Sequence, residues 1–277
     1  GGAIFARDSG NTTIDANFTN NNANLGNGGG VYLQSSGNTA INGSLFTGNS
    51  AVLGGGLYTI DSAVDISYSL FESNKALSNG GAMACDELVP NPDVNLYSFN
   101  DVIMNHNEAG ALGGGAFFNN IPISLAVVAM TNNTADAGGG VYISNGNGAS
   151  ILNSMFDSNV AKNGAGLRLA DSHALGITVT YTIVTNNKAS NNGGGFYITN
   201  ALVNFTSSSC DTNKANSAIG GGLLISDSVV TFTTSNITSN GELNQRSVYS
   251  ENSQLSFTDL VLSSSAVTTN GSVCPVF

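Results

Sequence analysis

The stretch Phe18-Thr19-Asn20-Asn21-Asn22-Ala23, followed at 28–33 by Gly-Gly-Gly-Val-Tyr-Leu, is a pair of phrases that returns along the chain. The first has the form apolar-x-x-Asn-x-Ala and recurs at 46–51, 71–76, 104–109, 130–135, 156–161, 184–189 and 210–215. Its asparagines are Asn21, Asn49, Asn74, Asn107, Asn133, Asn159, Asn187 and Asn213, with a degenerate ninth at Asn240. The glycine phrase keeps the same beat at 54–56, 80–81, 113–115, 138–140, 193–195 and 220–222, and as Gly164 and Gly166. A fixed period of this length marks stacked units, none of which can bury an apolar face alone.

One unit can be built from its residues. Alternating stretches precede the asparagine phrase, as in Val64-Asp65-Ile66-Ser67-Tyr68 and Val203-Asn204-Phe205-Thr206. Period two turns one face in and one out. The apolar residue at 18, 46 or 71 then anchors inward, Asn-x-Ala makes a corner, and the glycines admit backbone conformations closed to residues with a Cβ. A short second strand follows, as at 31–33 and 141–143. Strands this short with no helix between them predict an all-β, right-handed parallel β-helix of about nine to ten coils, roughly 27 residues per coil. Stacked coils place each recurrent asparagine on the next, where their amides can satisfy one another at a corner poorly reached by water. A binding role for that ladder is the alternative. The repeat defines a domain over 1–262, and 263–277 reads as a C-terminal cap or linking tail.

Composition excludes several classes. The net charge is −11 with only seven Lys and Arg, too few cations for a nucleic-acid or anionic-membrane surface. No run approaches the roughly 18 apolar residues of a membrane span. The chain opens in mid-phrase at Gly1-Gly2-Ala3-Ile4, which suggests a piece of something longer. Cys85, Cys210 and Cys274 lack metal spacing, and Cys210 takes an anchor position, as a buried small hydrophobe would. The stretch 86–93, with two prolines and three acids, reads as a lateral loop without ordered calcium-ligand spacing, so neither a metal nor a cofactor is expected.

Gly1-Gly2-Ala3-Ile4 together with Phe18-x-x-Asn21, Phe46-x-x-Asn49, Phe71-x-x-Asn74 and Phe156-x-x-Asn159 resembles the paired GGA[ILV] and FxxN repeats of the chlamydial polymorphic outer membrane proteins. The resemblance covers about residues 1–240 and implies a surface-exposed or secreted, adhesin-like β-helix of the pectin-lyase-like class. Two departures stand beside it: GGG mostly replaces GGA, and no membrane barrel follows.

For function, an enzyme on this fold needs carboxylates and a base converging on adjacent coils. Asp157 and Asp211 recur at one position two coils apart, Asp171-Ser172-His173 shares one link, and the remaining charges look scattered. The expectation is therefore an extracellular structural or adhesive module without catalysis, with a carbohydrate-active enzyme as alternative and an ice-binding solenoid as a third reading. The ice reading rests on paired columns Thr178 and Thr180, Asn204 and Thr206, Thr231 and Thr233, Ser256 and Thr258. The adhesive reading rests on an outward stripe in the second strand: Tyr32, Tyr58, Met83, Phe117, Tyr142, Arg168, Tyr197, Leu224 and Tyr249. Stacked exposed aromatics suit a glycan or a protein on a cell surface or matrix, or further coils of the same assembly. Sequons at Asn11, Asn17, Asn42, Asn132, Asn204, Asn236 and Asn270 could carry glycans, although so polar a chain produces such triplets by chance.

Overall fold

In the computed structural model, residues 1–88, 97–146, 148–216, 219–241 and 247–262 are described throughout, and 267–270 by their backbone. Residues 89–93 of the expected loop, Glu242 to Arg246 and Cys274 lie outside the described residues, as does the side chain of Asn270.

The chain winds as an all-β parallel solenoid, each strand hydrogen-bonded to its equivalent one coil on. One row of strands runs from Ile4–Arg7 through Val31–Gln34, Leu57–Ile60, Met83–Asp86, Ala116–Asn119 and Val141–Ser144, and continues to Val248–Glu251 and Val267–Asn270. Thus part of the expected tail adds a strand to this row. After a corner comes a hydroxyl-rich row containing Thr39–Asn42, the first part of Val64–Glu72, Ala149–Leu152, Val229–Thr233 and Gln254–Thr258. A further corner leads to the anchor row, with Asn17–Thr19, Leu45–Thr47, Met155–Asp157, Ile183–Thr185, Ser209–Asp211 and Asn236–Thr238. A fourth, short row follows in two blocks, Asn22–Ala23 to Glu108–Ala109 and Val160–Asn163 to Lys214–Ala215.

Corners are made by residues in the left-handed region. Asn20, Ser73, His106, Asn132, Ser158, Asn186 and Thr212 turn the chain after the anchor, and Asp8, Ser35, Asp61, Asn120, Asn145, Asp171 and Asn200 turn it after the first row. Short polar side chains tolerate this conformation because they can bond locally. The glycine phrase solves a second problem. Gly28 has φ +63°, and a Cβ on Gly29 would stand 2.1 Å from the carbonyl oxygen of Gly55 one coil on. Coils approach closely there, and the equivalent position is glycine in most coils, with Ala165 in one.

Inside, like packs on like. The rings of Phe18, Phe46 and Phe71 stack at 4.7 and 4.4 Å, and those of Phe205, Phe232 and Phe257 at 4.8 and 5.6 Å. Cys210 continues the anchor column as a buried free thiol, and burial pushes its pKa up; the Cys85 thiol is pushed up to about 12 for the same reason.

The corner asparagines form one continuous amide ladder. The Nδ2 of Asn49 donates to Oδ1 of Asn74 at 2.9 Å and to the carbonyl oxygen of Phe18 at 2.8 Å, while the Asn49 backbone N–H donates to the same Oδ1 at 3.0 Å. The pattern repeats from Asn21 through Asn107, Asn133, Asn159, Asn187 and Asn213 to Asn240. Every lone pair and N–H of a mid-ladder amide is thereby used, which allows full burial of a polar group. Two hydroxyl columns at the other corners escape a reading by repeated phrases. Ser154, Thr182, Ser208 and Ser235 each accept a backbone N–H from the preceding coil, as do Ser62, Ser172, Ser228 and Ser253. Their signal is a small hydroxyl residue just after the left-handed corner residue.

Candidate functional site

The outward stripe of the first row has a different composition from the one expected. Strand register aligns Phe5, Tyr32, Tyr58, Ala84, Phe117, Tyr142, Arg168, Tyr197, Leu224 and Tyr249. Met83 is therefore corrected: it faces the core beside Leu57, because Ala82 takes the place of the third glycine and the strand begins one residue later than the Gly-Gly pair suggests. Phe5 joins the row. The stripe is also less open than expected. Tyr58 is only 5% exposed, and Tyr32, Phe117, Tyr142, Tyr197 and Tyr249 are half-buried.

The cause is that the rings cover one another. Centroids lie 4.9 Å apart for Phe5 and Tyr32, 5.2 Å for Tyr32 and Tyr58, and 5.7 Å for Phe117 and Tyr142. Arg168 continues the row as a cation: its guanidinium lies 4.0 Å from the Tyr197 ring centroid and 5.9 Å from that of Tyr142. It donates to the carbonyl oxygens of Leu169 and Tyr197 and to Thr199 Oγ1. Burial lowers its pKa, an effect opposed by the tyrosines and Asp171. The row presents ring edges, hydroxyls and one cation.

At the rung where the row carries Ala84, the strand places its chemistry two residues on. Asp86 follows in the same outward direction, half-buried, and accepts a hydrogen bond at Oδ1 from Asn119 Nδ2 at 2.8 Å. Desolvation raises its pKa, the Asn119 and Glu87 N–H bonds oppose that, and the charge of Asp61 adds to it. Glu87 then turns the corner one coil above Asp61, only 2% exposed, and its Oε1 accepts from the Tyr97 hydroxyl at 3.5 Å. The N–H of Leu88 donates to Asp61 Oδ1, and Asn120 Nδ2 to the Glu87 carbonyl oxygen. Burial also pushes up the phenols of Tyr58 and Tyr97, whose surroundings include these carboxylates. The charge of Asp61 thus acts on Asp86 from the neighbouring coil, while the Glu87 side chain is buried against Tyr97. A carboxyl whose pKa is raised by burial and by a neighbouring charge is a candidate to give and take a proton. Among the described residues, no group of three or more His, Cys, Asp or Glu is placed to hold a metal ion.

Other candidate residues are not brought together. Ser172 is buried and holds the backbone of Gly146 and Ala170, His173 reaches the Asn200 amide from the surface, and Asp171 bonds to Asn200 Nδ2. Asp157 and Asp211 are separated by the Thr185 rung and bond to Asn186 and Thr238. The columns 178, 204, 231, 256 and 180, 206, 233, 258 do align. Asn11, Asn17, Asn42, Asn132 and Asn236 are exposed, and Asn204 is half-buried.

No family model matches the chain. No curated protein matches it either. Among solved structures it is similar to the periplasmic alginate epimerase AlgG, at 10% identity and a TM-score of 0.42, over 91% of this chain and 76% of that one. The likeness concerns the β-helix fold. The expectation of a rod without catalysis is withdrawn: the solved structure of like fold is an alginate epimerase. The resemblance to polymorphic outer membrane protein repeats rests on the quoted tetrapeptides alone.

Proposed function

We propose that this protein is an exported carbohydrate-active β-helix that lays an extended glycan along the aromatic row and works on it at the Asp86 corner. The observation that carries the reading is Asp86 itself: a half-buried carboxyl with a raised pKa, on the rung where the row narrows to Ala84, with the charge of Asp61 acting on it. A straight row with one residue per rung suits a ligand that is itself linear and periodic. Edges and hydroxyls of Tyr32, Tyr142, Tyr197 and Tyr249 supply amphipathic contact at low entropy cost, and Arg168 adds one fixed donor. Asp86 then serves as the acid or base, its pKa raised by burial and by the charge of Asp61. Display at a cell surface, with adhesion as a consequence of glycan binding, belongs to the same proposal; the exposed sequons Asn11, Asn17, Asn42, Asn132 and Asn236 are compatible with it.

The test is a panel of neutral and uronate-containing polysaccharides, scored for binding and, by NMR, for cleavage or change of sugar configuration. Binding and conversion of at least one glycan are expected. Asp86→Asn should keep the binding and lose the conversion, and Tyr142→Ser with Tyr197→Ser should weaken binding by about tenfold while the fold persists. A panel with neither binding nor conversion would sink the proposal.

A further inference from the structure

Arg168 is the cation of the aromatic column, and its setting differs from that of the paired lysines. Lys75 and Lys162 stand about half exposed, each ion-paired to a carboxylate. Arg168 is largely withdrawn from water, and among the described residues no carboxylate is ion-paired to it. Asp171, three residues on, acts on it from a distance and is bonded to Asn200 Nδ2 instead. A guanidinium has five N–H donors. Three of these go to the carbonyl oxygens of Leu169 and Tyr197 and to Thr199 Oγ1, which leaves two without a partner among the described residues. Desolvating a cation without an opposite charge is costly, and the faces of Tyr197 and Tyr142 recover only part of the cost. Held by three bonds with two donors to spare, the planar group is a fixed fork for a two-point contact with an oxyanion.

Its place along the row adds a distance. Register runs from Ala84 through Phe117 and Tyr142 to Arg168, and beside it from Asp86 through Asn119 and Ser144 to Ala170. Arg168 thus stands three rungs beyond Asp86, and its head leans to the next rung at Tyr197. Three to four strand spacings make a separation of roughly 14–19 Å. An extended 1,4-linked pyranose chain advances by about one such spacing per sugar. We propose that Arg168 binds an acid group of the glycan, a sugar carboxylate or a sulfate ester, carried three or four sugars away from the one that meets Asp86. The distance rests on the reading that the glycan lies along this row; the fork itself does not. Charge sets how often the acid recurs. The chain has a net charge of −11, and Asp86 and Glu251 follow the aromatic column on their own rungs. A polymer with an acid on every sugar would set like charges beside both for the one pairing gained at Arg168. The substrate class is therefore a mostly neutral chain with sparse acid groups.

The chain has three arginines, Arg7, Arg168 and Arg246, so their Nε–H signals can be told apart by NMR. The Arg168 signal, assigned through its own backbone resonances, should shift saturably with sodium glucuronate or methyl sulfate at constant ionic strength, and stay in place with glucose. Preference between the two anions tells a sugar carboxylate from a sulfate ester. No shift beyond that of the chloride control overturns the proposal, whether or not Arg168→Gln folds. On glycans that bind, Arg168→Gln should weaken the hold on sparsely acidic chains about tenfold and leave their carboxyl-reduced or desulfated forms unchanged. An equal loss on acidic and neutral forms would overturn the proposal and leave the glycan reading intact. An Arg168 that answers to the anions in a protein that neither binds nor converts any glycan would overturn that reading, and the sparsely acidic substrate with it, while the anion site stands.

Discussion

At the scale of single residues, the buried amide decides more than the buried ring. Asn133 is fully buried and its amide makes the ladder bonds to Asn159 and to the Met104 carbonyl oxygen, while its Oδ1 accepts from both the backbone and side chain of Asn107. Asn133→Ala therefore strands groups on both neighbouring coils, and each buried group left without a partner costs about 1–3 kcal/mol. Asn22 lies exposed outside the ladder. Asn133→Ala should lower the urea midpoint markedly and Asn22→Ala hardly at all; equal effects would remove the ladder from the stability of the rod. Asp86 makes a second prediction. Its raised folded-state pKa means that the folded protein holds this proton more tightly than the unfolded chain does, so its contribution is present at low pH and is lost as pH rises through the folded pKa. Asp86→Asn, which keeps an oxygen for Asn119, should stabilise the protein at neutral pH, and the gain should vanish in acid. Unfolding of both forms across pH 3–8 measures it; a gain independent of pH would mean that burial of the charge is not the cause.

At the scale of elements, rows differ in what they ask of a side chain. The anchor row stacks large groups into a gap of one rung spacing, roughly 4.8 Å, which is where the rings of Phe46 and Phe71 settle. Phe46→Ala opens a cavity flanked by two rings held by their own rungs, and a loss of about 3–5 kcal/mol is expected from thermal or denaturant unfolding. The short row after the asparagine corner serves another end. All four lysines of the chain lie on it: Lys75, Lys162, Lys188 and Lys214. Lys75 pairs with Glu108 at 2.7 Å and Lys162 with Asp136 at 2.8 Å. With both partners about half exposed, such pairs contribute little to stability, so they bear on the distribution of charge around the rod. Concentrating the lysines there leaves the aromatic row without ammonium groups.

At the scale of the whole molecule, the rod is a one-dimensional stack in which each coil contacts its neighbours, so damage should spread by distance along the axis. Phe156→Ala, in mid-rod, should raise hydrogen exchange in the coils on either side of it, between about Met130 and Cys210. Phe18→Ala should loosen the first coils alone. Exchange followed by mass spectrometry distinguishes the two patterns, and a uniform rise over the whole chain in either variant would indicate one cooperative unit instead of a stack.

The sequence by itself determined the period, the parallel solenoid and the chemistry of each coil. These depend on identity between neighbours: Asn on Asn, Phe on Phe, glycine where backbones meet. Such matching is written into the chain as repetition. What needed the tertiary structure were the departures from repetition. Ala82 in place of the third glycine shifted one strand by a residue, so Ala84, not Met83, narrows the aromatic row. Glu87 stands one period after Asp61, yet its place among acids and prolines made it read as part of a loop, and only the register of Asp86 over Ile60 shows Asp86 lying where the charge of Asp61 acts on it. Pairs such as Leu70-Phe71 and Ile183-Val184 read as single apolar runs, although one member faces the core and the other faces water. Which of two adjacent apolar residues is covered depends on what lies outside the coil, and that is set by the packing of the whole rod.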